Sequence, residues 1–178
     1  MTQVGHALIG TAIGVLSLPS GKPLPWSIAY FAAFALIGNL PDLDLPYWGH
    51  QRYNISHSLF VTLLLGTLST ALFACLPGVR QRVGGRGVLC AAILAWLSHL
   101  LLDSFYNHGR GVAIFWPFSP AHLALPIPWF SVVPFIPPIT AAHVLEYRTE
   151  FASYFPFVVA AYLLRRKLLL AKPVWAGG

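Results

Sequence analysis

Histidine and aspartate recur at the ends of apolar segments in this 178-residue chain. The chain holds only five acidic residues, and three of them are aspartates in such positions. An ionised carboxylate beside hydrocarbon is costly unless a neighbouring group compensates its charge. Several carboxylates and imidazoles together are most simply compensated by a bound cation, so the pattern predicts a metal site. The candidate ligands are His6, Asp42, Asp44, His57, His99 and Asp103.

His99 and Asp103 are four residues apart in an apolar segment. On a helix this spacing places both side chains on one face, with their Cβ atoms about 6 Å apart. The pair could bind one ion, or the two side chains could hydrogen-bond to each other without a metal. The spacing alone leaves both alternatives open.

Asp42 and Asp44 follow a proline at the end of another apolar segment. Because Pro41 disfavours helix at Leu40, we expect a turn or an extended stretch here, with side chains i and i+2 on one side. Two such carboxylates repel each other unless a cation or a proton lies between them. A turn-forming aspartate would explain one of them but not both.

His57 stands just before an apolar segment, where Ser56 or Ser58 can cap the helix. It is either a polar residue of that interface or a metal ligand. Arg52, nearby, carries a planar guanidinium that suits phosphate or carboxylate. His6 could be a polar contact between helices, but glycines follow it at 10 and 14, which favours close helix packing around it.

Mixed histidine and aspartate ligands favour Zn, Mn or Fe over Mg or Ca. The candidates exceed the four ligands of a tetrahedral zinc, so one or two divalent ions are expected, with zinc favoured and Mn or Mg as alternatives. Such ions can activate water for hydrolysis. In this interpretation Asp44, His57 and Arg52 are the catalytic residues, and Arg110 is a second group that binds an anionic substrate.

The composition is that of an integral membrane protein. Hydrophobic residues make up 57% of the chain and charged residues 9%, with a mean hydropathy of +0.68. Soluble domains carry about 25% charged residues. The net charge of +6 is explained by basic loops, so no nucleic-acid partner is expected.

Five apolar segments, 4–18, 26–40, 58–76, 87–105 and 151–164, predict one all-α domain over residues 1–178. We expect a compact bundle of about five transmembrane or partly spanning helices. Residues 1–118 would form the motif-bearing core and 150–172 a C-terminal helix. The proline- and aromatic-rich residues 119–149 cannot form a regular helix throughout, and they predict a cap at the membrane interface.

The positive-inside rule gives an orientation for five spans. Alternate loops carry eight and three Lys and Arg residues, which places the N-terminus outside and the C-terminus in the cytoplasm. All candidate ligands then gather at the outer face. An ion- or proton-coupled transporter and a non-catalytic metal-binding membrane protein are the alternatives to a hydrolase.

These motifs, in this order, resemble the YdjM-type membrane-bound metal-dependent hydrolases, a family also described as LexA-binding inner-membrane hydrolases. The matching pieces are His6 with its following glycines and residues 40–44, 52–58, 99–103 and 107–119, within about residues 1–120. The resemblance implies a metal-dependent hydrolase of the inner membrane. The family usually has His-Arg before Thr-His-Ser, where this chain reads His-Gln-Arg and Ser-His-Ser, which puts His50 in doubt as a site residue.

The spacing is also similar, more distantly, to zinc-dependent phospholipase C. That likeness covers His6, Asp42, His57, His99 and Asp103 as ligand equivalents. It implies a phosphoester of a lipid or of a lipid-linked substrate. It further implies that His108, or His143 with Glu146, could complete another metal position.

Overall fold

The computed structural model describes residues 1–78, 85–106, 111–130 and 139–170, without the side chains of His50 and Gln51. Helices dominate these ranges, and their one β-type pairing is a single bridge between Val112 and Leu123. The all-α prediction is confirmed. The elements are α1 (Gln3–Ser17), α2 (Leu24–Asn39), a 3₁₀ turn (Leu40–Asp42), a second 3₁₀ turn (Gly49–Arg52), α3 (Tyr53–Ser56), α4 (Leu59–Ala74), α5 (Arg86–Asp103) and α6 (Ala141–Leu170).

Helix α1 lies at the centre of the bundle and packs against α2, α5 and α6, while α4 packs against α5. One apolar cluster between α2 and α5 is built on Tyr30, Phe34 and Ala95. The outer faces of the helices are also apolar, as at Leu64 and Leu72, whose exposed fractions are 59% and 64%. Soluble proteins rarely expose so much contiguous apolar surface, which is typical of helices that face lipid.

Glycines allow α1 and α2 to touch through their backbones. A Cβ atom on Gly10 would lie 2.3 Å from the carbonyl oxygen of Phe34, and one on Gly38 would lie 2.6 Å from the carbonyl oxygen of His6. Neither position has room for a side chain. The expected close packing around His6 is therefore confirmed, and it places His6 directly against the end of α2.

Two helices in the described ranges are long and apolar enough to cross a membrane: Leu24–Asp42, with mean hydropathy 1.3, and Arg86–Asp103, with mean hydropathy 1.4. Helices α1 and α4 are apolar but have 15 and 16 residues. The expected five spans are not confirmed. The shortfall at α1 has a local cause, because Pro19 follows the helix closely and cannot continue it.

The last helix begins earlier than the sequence predicts. We expected residues 141–149 in the cap and a helix over 150–172, but α6 begins at Ala141. Its first turn is stabilised by Thr140, whose hydroxyl oxygen lies 2.8 Å from His143 Nδ1. The prolines of the cap end at residue 138, so no proline opposes helix between Ala141 and Phe155, and the next one, Pro156, lies inside α6. Residues 171 and 172 lie outside the described ranges.

The proline-rich segment is described over residues 111–130. The amide of Leu125 donates to Ser104 O at 2.7 Å, and the amide of Ile127 donates to Phe105 O at 2.8 Å. The amide of Leu59 donates to Ile114 O at 3.0 Å. The segment therefore follows the end of the bundle where α5 ends and α4 begins. Its place at a membrane interface stays a prediction, and residues 131–138 lie outside the described ranges.

Candidate metal centre

Three histidines and two aspartates from separate elements meet at one end of the bundle. The helix ends bring them there, because α1 and α4 begin at this end while α2 and α5 finish there. The 3₁₀ turn after α2 is held by Trp48, whose Nε1–H donates to Leu40 O at 2.8 Å. The converging side chains are His6, Asp42, His57, His99 and Asp103.

Both carboxylates lie among the three imidazoles. Asp103 Oδ1 is 3.1 Å from His6 Nε2, and its Oδ2 is 3.3 Å from His57 Nε2 and 3.4 Å from His99 Nε2. Asp42 Oδ1 is 3.2 Å from His57 Nε2 and 3.5 Å from His99 Nε2, and its Oδ2 is 3.8 Å from His6 Nε2. The amino nitrogen of Met1 is 3.1 Å from Asp103 Oδ1.

These separations suit the donors of one metal ion. Ligand atoms about 2.0–2.2 Å from a metal are roughly 2.9–3.6 Å apart at octahedral or tetrahedral angles. Five of the six carboxylate–imidazole distances above fall in that range. Ligand atoms of His6, Asp42, His99 and Asp103 all lie within 4.8 Å of one another. His57 adjoins both aspartates, so three imidazoles and two carboxylates can share one ion.

The cluster is buried. His57 and His99 are 0% exposed, His6 1% and Asp103 3%, whereas Asp42 is half-buried. Removing a carboxylate from water costs several kcal/mol, a cost that an adjacent cation offsets. Asp42 is half-buried as a whole residue, but its side chain is only 7% exposed, so both carboxylates of the cluster are buried.

The contacts of the Nδ1 atoms of His99 and His57 show which nitrogen of each ring faces the cluster. His99 Nδ1 lies 2.8 Å from Gly38 O, and because a carbonyl only accepts, Nδ1 carries the proton. His57 Nδ1 lies 2.8 Å from Ser56 Oγ and can donate to it when the Ser56 hydroxyl donates to Gly49 O at 3.2 Å. With these tautomers in the neutral rings, both Nε2 atoms present lone pairs, and the two nitrogens face each other at 3.2 Å.

Two lone pairs at that distance repel each other. A metal ion bound to both nitrogens removes this repulsion, and so does a proton on one of them, which makes the contact a hydrogen bond. The opposed nitrogens therefore mark a place where a metal ion can bind. An outer hydrogen bond that fixes the tautomer is also how metal-binding histidines are usually held. The ring of His6 also lines the cluster and stacks on the ring of His99 at a centroid distance of 3.6 Å.

The structure leaves two predicted site residues out of the cluster. Asp44 is exposed and does not belong to the ligand group, although it was expected beside Asp42. The expected alternation fails because the 3₁₀ turn runs through Asp42 and extended backbone begins only at Leu43. Arg52 is also exposed, so its catalytic role stays a prediction.

The other candidate residues lie outside the ligand group or outside the described ranges. Ser58, one of the two serines proposed as a cap, caps α4, because its Oγ accepts from the amide of Val61 at 3.3 Å. His143 and Glu146 are buried in α6, and in the described ranges neither joins a group of three possible ligands. His108 and Arg110, like the side chain of His50, lie outside what the structure describes.

Sequence reasoning missed Tyr53. Its ring stacks on that of His57 at a centroid distance of 3.9 Å. Its hydroxyl is buried and has no hydrogen-bond partner in the described part of the chain. Burial raises the pKa of the Tyr53 hydroxyl, and the carboxylates of Asp103 and Asp42 raise it further, so the group stays neutral. The available signal was its spacing of four residues before His57, the same spacing that relates His99 to Asp103.

Sequence reasoning also gave no role to Glu150, which is 1% exposed. Its carboxylate accepts from the amides of Thr2 at 2.8 Å and Gly5 at 3.1 Å, and from the Thr2 hydroxyl. An anion at a helix N-terminus satisfies amides that lack a partner within the helix. Glu150 therefore ties α6 to the first turn of α1, next to His6.

The family model described as YdjM inner membrane protein matches residues 1–171. The match extends well beyond the part that carries the motifs and covers nearly the whole chain. No curated protein and no solved structure matches the chain. The family expected from the motifs is confirmed, whereas the likeness to zinc-dependent phospholipase C stays a prediction.

Proposed function

The chain belongs to the YdjM family of inner membrane proteins, and we propose that it is a metal-dependent hydrolase of that membrane. One observation carries the proposal: the imidazoles of His57 and His99 oppose their Nε2 atoms at 3.2 Å between two carboxylates. A network built only to join helices would gain little from this arrangement, since interhelical hydrogen bonds contribute about 0.6–2 kcal/mol. A divalent ion makes use of every one of these donors.

The donor set favours zinc, with Mn as an alternative. Three imidazole nitrogens suit Zn, Mn or Fe, whereas Mg prefers oxygen ligands. All five donors converge on one place and Asp44 lies outside it, which supports one ion. When bound, such an ion polarises a phosphoryl oxygen and makes a water molecule a better nucleophile.

Other features of the chain would orient the ligands, exclude bulk water, move a proton and bind the substrate. Hydrogen bonds to Gly38 O and Ser56 Oγ hold the His99 and His57 rings with Nε2 toward the centre. Burial of the cluster keeps bulk water away, which strengthens its electrostatic interactions. Asp44, an exposed residue two positions after Asp42, would accept a proton from the attacking water, and Arg52, which is also exposed, would bind the substrate anion.

The surroundings of the cluster favour a lipid or lipid-linked phosphoester. A groove of about 200 Å³ is lined by residues of α2, α4 and α5 and of the turn after α2. Its walls are mostly apolar and include Leu40 and Thr62, which lie close in sequence to Asp42 and His57. A phosphate at the cluster could thus have its hydrocarbon part in the groove. The depth of the cluster in the inner membrane and its placement at the outer face stay part of the proposal.

Elemental analysis of the purified, detergent-solubilised protein tests the metal. We expect about one zinc or manganese per chain, and we expect His99→Ala and Asp103→Asn to lower metal affinity at least about a hundredfold, more than loss of an outer hydrogen bond does. Asp44→Asn is the matched control, since the same chemical change falls outside the cluster and should leave the metal in place. Full metal content in His99→Ala and Asp103→Asn would contradict the assignment.

Catalysis is tested with the same proteins. The wild type should release phosphate or a phosphorylated headgroup from phospholipid or polyprenyl-phosphate esters, and a chelator should stop the reaction. A metal-loaded protein inactive on every such ester would leave a non-catalytic metal-binding protein. Metal-dependent ion flux in proteoliposomes would instead establish a transporter.

A further inference from the structure

The hydroxyl of Tyr53 is a buried polar group beside the cluster that the ligand set does not use. Tyr53 begins α3, and its backbone carbonyl accepts from the amide of His57 at 3.0 Å, so ring and ligand are held together over one turn. The ring covers one face of the His57 imidazole at an interplanar angle of 21°. Tyr53 Oη is buried, yet it has no hydrogen-bond partner in the described ranges.

A buried hydroxyl without a partner is unfavourable, because it has given up its hydrogen bonds to water. Because the Tyr53 ring is stacked on the His57 imidazole, its hydroxyl is held beside the cluster. Among the described residues it hydrogen-bonds to neither carboxylate. A tyrosine hydroxyl carries one proton that it can donate, so here it is a donor without an acceptor.

The missing acceptor has a definite chemistry. With the proposed cation bound at the cluster, an oxygen that carries negative charge is the favoured acceptor. It must also be small, because the cluster is enclosed by buried side chains. A tetrahedral oxyanion meets both conditions, as it can direct one oxygen to the ion and another to the hydroxyl.

We propose that Tyr53 is a substrate-binding residue whose hydroxyl donates a hydrogen bond to an oxygen of the phosphoryl group held at the metal centre. The inference rests on the proposed function and extends it, because it makes a neutral donor part of substrate recognition. Arg52, which the sequence suggested for this task, is exposed and would act from outside the cluster.

The test measures binding of inorganic phosphate to the metal-loaded protein in detergent, by calorimetry, for wild type and Tyr53→Phe. Phenylalanine keeps the ring on His57 and removes only the hydroxyl. We expect the metal content to be unchanged and the phosphate affinity to fall about tenfold or more, as for loss of a hydrogen bond to a charged group. Tyr47→Phe is the matched control, because Tyr47 is 77% exposed in the loop before α3.

Three results would overturn the inference. Equal phosphate affinity in Tyr53→Phe and wild type would remove the hydroxyl from the site. Loss of metal in Tyr53→Phe would show that the residue only supports His57. Failure of the wild type to bind phosphate would mean that the centre takes no oxyanion. If phosphate binding depends on Tyr53 while no phosphoester is cleaved, the hydrolase proposal fails and this inference stands.

Discussion

The chain buries carboxylates in two neighbouring places that differ in how their charge is satisfied. At Glu150 the partners are amides and a hydroxyl of the first turn of α1, all of them donors. At Asp42 and Asp103 the partners are imidazole nitrogens, two of which face each other. The protein itself completes the first site. The second site, where the Met1 amino nitrogen also lies 3.1 Å from Asp103 Oδ1, is a group of side chains that could hold a metal ion. A buried acid is therefore structural or functional according to its partners and not its burial.

The largest effect is expected where the geometry of the metal cluster depends on a helix contact. In Gly38→Ala the new Cβ would meet the backbone of His6, so α1 must move away from α2. We expect loss of the metal and a destabilisation of about 3 kcal/mol, at the upper end for overpacking. Metal content and thermal unfolding in detergent measure the two effects.

Gly87→Ala is the matched control for that variant. Gly87 also lies in a helix, but a Cβ there would meet nothing within 4 Å. Alanine should therefore stabilise α5 by about 0.5–1 kcal/mol through its higher helix propensity. A Gly38→Ala protein that keeps its metal would show that the glycine contact does not position His6.

The next prediction contrasts the two kinds of carboxylate by the same chemical change. Glu150→Gln should lower the stability of the metal-free protein by about 2 kcal/mol, because an amide cannot accept from all three donors. The folded fraction should still bind metal. Asp103→Asn should do the reverse, with loss of metal and little change in the stability of the metal-free protein. The distinction between the carboxylates of Glu150 and Asp103 is wrong if both variants lose stability and metal to the same degree.

The smallest effect on metal affinity is expected when a ligand histidine loses the hydrogen bond of its Nδ1, the ring nitrogen that faces away from the cluster. Ser56→Ala removes the acceptor of His57 Nδ1 and should weaken metal binding about tenfold, as outer partners of ligands usually do. Ser98→Ala is the control, since Ser98 adjoins His99 but its hydroxyl donates to Ala95 O of the same helix at 2.7 Å. Metal titration of the two proteins separates a specific effect from a general loss of helix stability.

Much of the site could be predicted because its spacings are local. The four-residue spacing of His99 and Asp103 predicts a shared helix face, and glycines at 10 and 14 indicate close packing near His6. Alternating helix directions explain why the ligands meet at one end of the bundle. The family resemblance drew on the same short motifs and extends to residues 1–171.

The rest depended on tertiary contacts that no local pattern contains. Asp44 was expected beside Asp42, but the exact end of a 3₁₀ turn decides which carboxylate enters the cluster. Glu150 gains its role only when α6 crosses the first turn of α1. Tyr53 was missed because the sign of its role is a buried hydroxyl without a hydrogen-bond partner in the described ranges, which a sequence cannot show. The number of spans stays a prediction, because hydropathy measures apolar runs and not helix length, and two helices in the described ranges are long and apolar enough to cross a membrane.

X-ray absorption at the metal edge of the purified wild-type protein tests the central claim most directly. We predict an ion bound by about three imidazole nitrogens and two carboxylate oxygens, at distances of about 2.0–2.2 Å. Asp103→Asn should abolish that spectrum. A protein purified without metal that also fails to bind added zinc or manganese, or a spectrum dominated by sulfur ligands, would contradict the account.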